Sequence, residues 1–159
     1  MRVLIVSDTH GDDSAMWEAI DAEAPIDMLI HCGDIEHEPT ELLEELDCPI
    51  HVVGGNNDFM LNLPETDTFN IGKYKVLLTH GHHYRIYREQ SCLFYLAEDN
   101  NADIVMFGHL HEPILQQDGN ITILNPGSLT YPRQEGHRPS YIIMEVDENE
   151  NVSYEVRYL

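Results

Sequence analysis

The sequence predicts an α/β fold, because short apolar runs alternate with stretches of helical periodicity along the first two-thirds of the chain. Five predominantly apolar runs, at residues 3–6, 28–31, 50–53, 76–79 and 104–107, are typical of strands covered on both faces. The last third changes character. There, runs at residues 114–117 and 121–124 flank Asp118-Gly119, and runs at residues 141–146 and 152–158 flank an acidic turn, which predicts two antiparallel hairpins.

Three helices are predicted between the strands of the first two-thirds. Apolar side chains recur at helical spacing within residues 14–23, 39–47 and 89–100. In the second stretch Pro39 suits the first helical turn, and Leu42, Leu43 and Leu46 share one face. Each helix therefore has one apolar side to bury against a sheet.

The order of these elements indicates more than one layer. A parallel half followed by a hairpin-rich half suggests two sheets packed face to face with helices outside, although one curved sheet would have the same pattern. At 159 residues the chain is expected to form a single domain, residues 1–159, with its own core.

The chain is strongly acidic, with a formal net charge of −21. Acidic surfaces repel nucleic-acid phosphates and anionic membranes, so neither a long nucleic acid nor a membrane is an expected partner. The three cysteines, Cys32, Cys48 and Cys92, are odd in number and widely spaced, which is typical of a reducing compartment. Because the N-terminal apolar run is too short for a signal sequence, we expect a cytoplasmic protein.

Each of the five apolar runs ends within a few residues of a side chain that can bind a metal ion. Since the carboxyl ends of parallel strands form the ligand-binding edge of an open sheet, these side chains are expected to meet there. One polar residue after a strand is an ordinary turn, whereas the combination predicts a site for more than one ion. The set is Asp8, His10, Asp34, Asn56, His80, His109 and His111.

The spacing within this set suits shared coordination. Asp8 and His10 are two residues apart, so in an extended segment both side chains point the same way, and His109 and His111 repeat this spacing. Asp34 follows a glycine on a turn, and its two oxygens could bridge two cations. Nitrogen and oxygen donors without a thiolate indicate Mn, Fe, Zn, Ni or Co rather than a structural cysteine-zinc site.

These segments together resemble the motifs of the calcineurin-like metallophosphoesterases. The short chain, with Pro132-Arg133 and further motifs, is similar to the small bacterial and archaeal phosphodiesterase branch. The resemblance runs over essentially the whole chain and implies a four-layer αββα sandwich of two mixed β-sheets flanked by helices. The matching segments are Asp8-x-His10, Gly33-Asp34, Gly55-Asn56-x-Asp58, His80-Gly81-His82, Gly108-His109-x-His111, Asn125-Pro126-Gly127-Ser128 and Pro139-Ser140-Tyr141.

The resemblance also implies a ligand scheme and a mechanism. It assigns Asp8, His10 and His111 to one divalent ion, assigns Asn56, His80 and His109 to the other, and makes Asp34 the bridge. Manganese is the expected metal, with nickel, iron, zinc and cobalt as alternatives. Two such ions would lower the pKa of a bridging water, and the resulting hydroxide would attack phosphorus in line with the leaving group.

One position departs from the family pattern. Many relatives have a histidine between the Asn and the Asp of the third motif, where this chain has Asn57. Asparagine can hydrogen-bond a phosphoryl oxygen but has no titratable proton, so His37 and His82 are the candidate substitutes, each equally compatible with a solvated loop histidine. Asp58 is expected to orient a ligand imidazole. Arg133 could bind a substrate phosphate or remain a surface arginine.

The sequence therefore predicts a dinuclear metal-dependent phosphodiesterase that hydrolyses a small organic phosphate. One alternative is a phosphomonoesterase or protein phosphatase using the same site. The other is a non-catalytic protein-binding scaffold, since the small subunit of retromer has a similar fold and a degraded metal site, whereas all seven ligand positions are filled here. The apolar residues at 60–63 would either pair two subunits or pack on the sheet.

Overall fold

The computed structural model describes residues 1–159, apart from the side chain of residue 41. The elements follow in the order β1 Arg2–Val6, α1 Ser14–Glu23, β2 Met28–His31, α2 Thr40–Glu45, β3 Ile50–Val52, β4 Thr66–Ile71, β5 Tyr74–Thr79, α3 Ser91–Asn100, β6 Ile104–Met106, β7 Pro113–Asp118, β8 Ile121–Pro126, β9 Ser140–Val146 and β10 Val152–Tyr158. In the part of the chain described, each helix is too short to cross a bilayer.

The strands form two mixed five-stranded sheets. The first has the order β10-β9-β1-β2-β3 and the second β4-β5-β6-β8-β7. In the first sheet β1, β2 and β3 are parallel, and in the second β5, β6 and β8 are parallel, while the remaining strands pair antiparallel at the outside. Each sheet therefore has a parallel part whose carboxyl ends are free to form a site.

Alternation along the strands divides the core into three layers. Val3 and Ile5 of β1 point into an apolar layer that also contains Val76 and Leu78 of β5, so this layer lies between the sheets. Leu4 of β1 points to the other side, into a layer with α1 and α2 side chains. Another layer joins β5, β6 and β8 to α3. The predicted αββα sandwich is confirmed, and the single curved sheet is excluded.

The main difference from the predicted elements is β4, which the sequence pattern did not indicate. Its alternating exposure leaves only Phe69 and Ile71 as apolar side chains facing inward. The second helix is shorter than residues 39–47 because Leu46 is already extended and Pro49 disfavours a helical conformation just before it. The third helix begins at Ser91, two residues later than expected. Both predicted hairpins are present.

Candidate metal centre

The loops that follow the parallel strands of both sheets meet at one edge of the sandwich. From the first sheet come Asp8 after β1, Asp34 after β2 and Asn56 after β3. From the second come His80 directly after β5 and the segment from His109 to His111 after β6. Two groups of side chains have donor atoms that all lie within 4.8 Å of one another: Asp8, His10 and His111, and Asp8, Asp34 and His80.

Three of the histidines have their rings held by a hydrogen bond at Nδ1. His10 Nδ1 donates to Glu36 Oε1 at 2.6 Å, His111 Nδ1 to the Tyr131 carbonyl at 2.9 Å, and His80 Nδ1 to the Cys32 carbonyl at 2.8 Å. In the neutral form each ring therefore has its lone pair on Nε2, the atom that faces the cluster. A fixed tautomer with the opposite nitrogen free is the usual arrangement of metal-binding histidines.

In the first group two imidazole nitrogens and a carboxylate oxygen face one another at short distance. His10 Nε2 and His111 Nε2 are 3.2 Å apart. Asp8 Oδ1 lies 3.1 Å from His111 Nε2, yet this buried oxygen makes no hydrogen bond within the described residues. Lone pairs and a carboxylate oxygen in such contact repel one another unless a cation lies among them. The residues present therefore fit a divalent metal ion.

The second group is centred on the buried Asp34. Asp34 Oδ2 lies 3.5 Å from His80 Nε2 and 4.0 Å from His10 Nε2, between the two sets of histidines. Burial alone would raise the pKa of the Asp34 carboxyl, but His80 and two hydrogen bonds from Asn57 hold that pKa below its ordinary value. Asn56 Oδ1 is 3.2 Å from His80 Nε2. Asp34 is therefore an anion that lies between His80 and His10.

Asn57 and Asp58 have different contacts from those expected. The Asn57 backbone N–H and side-chain amide both donate to Asp34, at 2.8 and 2.7 Å. Asp58 is buried and accepts backbone N–H groups of Asp34, Glu36 and Gly55, each at 2.7 Å, rather than holding an imidazole. Asp58 therefore ties the loop after β3 to the loop after β2 and fixes the Asp34 backbone.

His109 has its ring at the rim of the cluster. Its Nε2 forms a 2.5 Å hydrogen bond with the Tyr87 hydroxyl, and its backbone N–H donates to Asp8 Oδ2 at 3.1 Å. The ring centroid is 5.2 Å from that of His80. Burial, helped by His80, lowers the pKa of His109 to about 4, so its imidazole is neutral and available as a ligand.

The structure separates the two candidate acid histidines. The His82 ring lies 5.4 Å from the His80 ring, and its Nδ1 is a buried atom without a hydrogen-bond partner in the described chain. His37 instead contacts Asp13 Oδ2 at 2.7 Å and the Glu38 carbonyl at 3.0 Å. Arg133 is exposed, and its backbone N–H donates to the His111 carbonyl at 2.9 Å.

The loops of the site require unusual backbone and very close approach. Asp8, His10, Asp34, Glu36, His109 and His111 all have positive φ, although they are not glycine. Such strain is concentrated at functional sites. A side chain at Gly55 would clash with Asp34 Oδ1, and one at Gly108 would clash with Ser7 Oγ, so glycine is needed at both positions.

Sequence reasoning missed Glu36 and Ser7 as supporting residues, and it named Asn125 only as part of a matching segment without its contact. Glu36 holds His10, and Ser7 Oγ donates to Asp8 Oδ2 at 2.5 Å. Buried Asn125 donates to the Gly108 carbonyl at 2.6 Å, so the Asn-Pro-Gly-Ser segment supports the loop after β6. Glu36 could have been found from the sequence, because it follows Asp34 by two positions. The pairs Asp8/His10 and His109/His111 have the same spacing.

Comparison with known proteins assigns the chain to a defined family. The family model of the calcineurin-like phosphoesterase superfamily domain matches residues 1–149. A probable metallophosphoesterase, YsnB of Bacillus subtilis, is 36% identical over 148 residues, which are 92% of this chain and 85% of the relative. The chain therefore belongs to the calcineurin-like phosphoesterases, a family of metal-dependent enzymes, and the predicted family and enzyme class are confirmed.

Solved structures agree with the fold over its full length. A predicted phosphoesterase from Streptococcus pneumoniae has a TM-score of 0.80 and 31% identity, with 99% of this chain and 97% of that chain covered. Vps29 of Entamoeba histolytica in complex with zinc has a TM-score of 0.79 at 24% identity, covering 99% of each chain. An archaeal phosphodiesterase has a TM-score of 0.75 at 24% identity, covering 99% and 100%. The last two show the shared fold alone.

Proposed function

We propose that this chain is a dinuclear metal-dependent phosphodiesterase that hydrolyses a small organic phosphate in the cytoplasm. The observation that carries the proposal is the contact of His10 Nε2 and His111 Nε2 at 3.2 Å beside the unpartnered Asp8 Oδ1. One ion would be held by Asp8, His10 and His111. The other would be held by Asn56, His80 and His109, and Asp34 would be shared by both.

Divalent ions in this site supply Lewis acidity for the phosphoryl oxygens and a nucleophilic oxygen at neutral pH. Manganese is the metal we propose, since the donors are nitrogen and oxygen atoms without thiolate. Hydrolysis forms a bond from a water oxygen to phosphorus and breaks the bond from phosphorus to the leaving oxygen, which takes up a proton. The products are a monoester and an alcohol.

The remaining residues bind the substrate and move protons. The Asn57 amide donates one N–H to Asp34 and has a second N–H for a phosphoryl oxygen. Arg133, on the segment beside His111, is the proposed phosphate-binding cation. His82, whose ring lies 5.4 Å from that of His80, is the candidate we favour for delivering a proton to the leaving group, because His37 is directed at Asp13.

A diester is favoured over a monoester by charge. A diester phosphate carries one negative charge and a monoester carries up to two near neutral pH. The chain has a formal charge of −21 and only eight lysines and arginines, so a dianion would be repelled more strongly. A scaffold role is the second candidate because Vps29 has the same fold, but a scaffold does not need the close grouping of metal-binding side chains seen at Asp8, Asp34 and His80. A homo-oligomer remains a prediction. Met60 is exposed and free to contact a second subunit, whereas Leu61 and Leu63 pack against the core layer that contains α1 and α2 side chains.

The test compares bis-p-nitrophenyl phosphate with p-nitrophenyl phosphate, using metal-stripped protein to which Mn²⁺ is added stepwise. We expect Mn²⁺-dependent turnover that is faster for the diester and is lost in Asp34→Asn. Asp118→Asn, an exposed carboxylate in β7, is the matched control and should be as active as the wild type. Faster turnover of the monoester would support a phosphomonoesterase, and no turnover with Mn²⁺, Ni²⁺, Co²⁺ or Zn²⁺ would support the scaffold.

A further inference from the structure

Some of the few cationic side chains of this acidic chain have partners in the structure and others do not. Five of the eight lysines and arginines have partners: Arg2 and Arg157 pair with carboxylates, Lys75 and Arg138 donate to carbonyls, and Lys73 lies over Tyr74. Within the described chain, the side chains of the other three, Arg85, Arg88 and Arg133, make neither an ion pair nor a hydrogen bond. All three lie in loops that border the metal centre, where they leave positive charge unused.

Arg85 and Arg88 belong to a loop, residues 84–88, whose backbone is fixed by a buried central side chain and by hydrogen bonds. Its central residue, Ile86, is fully buried in the core layer that contains Phe107. The Ile86 N–H donates to the Tyr84 carbonyl at 3.0 Å, and Gln90 Nε2 donates to the Ile86 carbonyl at 2.9 Å. The exposed side chains of this loop are therefore presented on a fixed backbone, which favours binding over free solvation.

The same loop lines a cavity next to the candidate metal centre. Tyr84, Arg85, Tyr87, Arg88 and Glu89 surround a volume of about 640 Å³. The Tyr87 ring is 68% exposed, and its hydroxyl lies 2.5 Å from His109 Nε2. Tyr87 therefore lies between the cavity and the candidate metal centre, lining the first and contacting the second. Its charged lining consists of two arginines and one glutamate, so a positive charge remains for an anion.

We propose that the loop of residues 84–88 is a specificity subsite for the non-reacting half of a short nucleotide diester that carries a second phosphate. This inference rests on the proposed phosphodiesterase function. Tyr87 would stack on the base, since an exposed aromatic face next to cationic side chains is the usual platform for a nucleobase. Arg85 and Arg88 would bind the second phosphate, for which a guanidinium has matching donors.

The charge of the whole chain limits the length of such a substrate. Each further phosphate of a long strand would be repelled by the net negative charge of the chain, which two arginines do not offset. A dinucleotide-sized molecule places one phosphate on the metal centre and one on the loop. The subsite therefore selects a short nucleotide and disfavours a polynucleotide.

The first experiment compares three substrates with the same p-nitrophenolate leaving group: ethyl p-nitrophenyl phosphate, thymidine 5′-(p-nitrophenyl phosphate) and the 3′-phosphorylated form of the latter. Using the Mn²⁺-loaded enzyme, we expect kcat/KM to rise by about tenfold with the base. A further rise is expected with the second phosphate. Equal kcat/KM for all three would overturn the subsite while leaving the phosphodiesterase activity established.

Variants separate the parts of the subsite. Arg85→Ala/Arg88→Ala should remove the advantage of the 3′-phosphate, and Lys73→Ala, which removes a cation from the β4–β5 turn, should keep it. Tyr87→Leu should remove the advantage of the base, whereas Tyr87→Phe should retain it because the ring is unchanged. If Tyr87 only positions His109, Phe and Leu would change all three substrates equally, and base recognition would be overturned.

A binding measurement makes the proposal independent of turnover. Calorimetric titration with thymidine 3′,5′-bisphosphate should show binding that Arg85→Ala/Arg88→Ala weakens by about tenfold or more. Inorganic phosphate should bind both proteins equally. If no substrate is hydrolysed but this difference is seen, the phosphodiesterase proposal fails and the nucleotide subsite stands. Equal binding of the bisphosphate to both proteins would overturn the subsite.

Discussion

The Asp8 carboxylate shows at the residue scale how the site stores unfavourable contacts for a cation. Its Oδ2 is satisfied by Ser7 and by the His109 N–H, while its buried Oδ1 faces the imidazole nitrogens with no hydrogen bond in the described structure. A buried, half-satisfied carboxylate destabilises a protein unless an ion offsets its charge. The metal-free fold is thus less stable than its packing alone would allow.

Asp8→Asn should reverse this balance. The asparagine amide can donate to His111 Nε2, which lies 3.1 Å from the present Oδ1. We therefore expect the metal-free variant to melt about 2–4 °C higher than the metal-free wild type, which corresponds to about 1 kcal/mol. We also expect Mn²⁺ to stabilise the wild type more than the variant, because the variant lacks a ligand of one of the two ions. Thermal melts in chelator and in Mn²⁺ measure both effects, and a lower melting temperature of the metal-free variant would contradict them.

Glu36 provides the second test at this scale. Its carboxylate fixes His10 through a 2.6 Å hydrogen bond to Nδ1. Glu36→Ala should lower Mn²⁺ affinity by about 10-fold or more, because loss of such a partner frees the ligand ring. Calorimetric Mn²⁺ titration is the measurement, with the nearby exposed Glu38→Ala as the control. Unchanged affinity in Glu36→Ala would show that the ring is held by its surroundings alone.

At the scale of elements, the loop after β3 must lie directly against the loop after β2. Gly54→Ala and Gly55→Ala form a matched pair in this loop. An added Cβ at Gly54 meets Leu63 at 3.4 Å, whereas one at Gly55 clashes with Asp34. We expect Gly54→Ala to keep wild-type Mn²⁺ affinity and Gly55→Ala to lose about 10-fold or more, because Asp34 is displaced. Equal affinity for the two variants would contradict the close approach.

Glu23 links α1 to β9 and β10 through hydrogen bonds to Tyr141 and Arg157. It accepts two 2.6 Å hydrogen bonds from Arg157 and one of 2.9 Å from Tyr141. Burial alone would raise the pKa of Glu23, but these partners hold that pKa below its ordinary value of 4.5. Glu23→Gln should therefore lower the free energy of unfolding at neutral pH by about 1–3 kcal/mol. Glu18→Gln, on the exposed face of α1, should have little effect.

The pH dependence of this stabilisation has a defined sign. Because the pKa of Glu23 is lowered in the folded state, its contribution to the free energy of unfolding is fully present above about pH 4.5. This contribution is lost as the pH falls through the lower pKa of the folded state. Urea unfolding from neutral pH down through that range should show the wild type and Glu23→Gln converging. A difference that grows in acid would contradict the lowered pKa.

The fold, and the meeting of the candidate metal ligands at one sheet edge, could be predicted because they depend on regular patterns. Continuous apolar runs marked the buried parallel strands, and the polar side chains after those runs marked the site. The edge strand β4 was missed, because a half-exposed strand has few apolar side chains. The roles of Asp58 and His37 were harder to predict because both contact partners from other loops, which only the tertiary structure brings together.

At the scale of the whole molecule, the unpaired arginines and the candidate metal-binding side chains of this acidic chain lie at the same edge of the sandwich. Two sheets contribute their parallel strands to this edge, so each contributes part of the ligand set. Divalent ions bound there would offset local negative charge, and the arginine loops beside them would attract a phosphate. The rest of the surface repels polyanions, which is consistent with a small substrate.

The most direct test of the central claim is the number of Mn²⁺ ions bound per chain, measured by calorimetry on metal-stripped protein. We predict two equivalents for the wild type. In Asp34→Asn, where the shared carboxylate becomes a neutral amide, at least one equivalent should be lost, while Asp118→Asn should bind two. A single equivalent in the wild type, or two equivalents that Asp34→Asn leaves unchanged, would contradict a dinuclear centre bridged by Asp34.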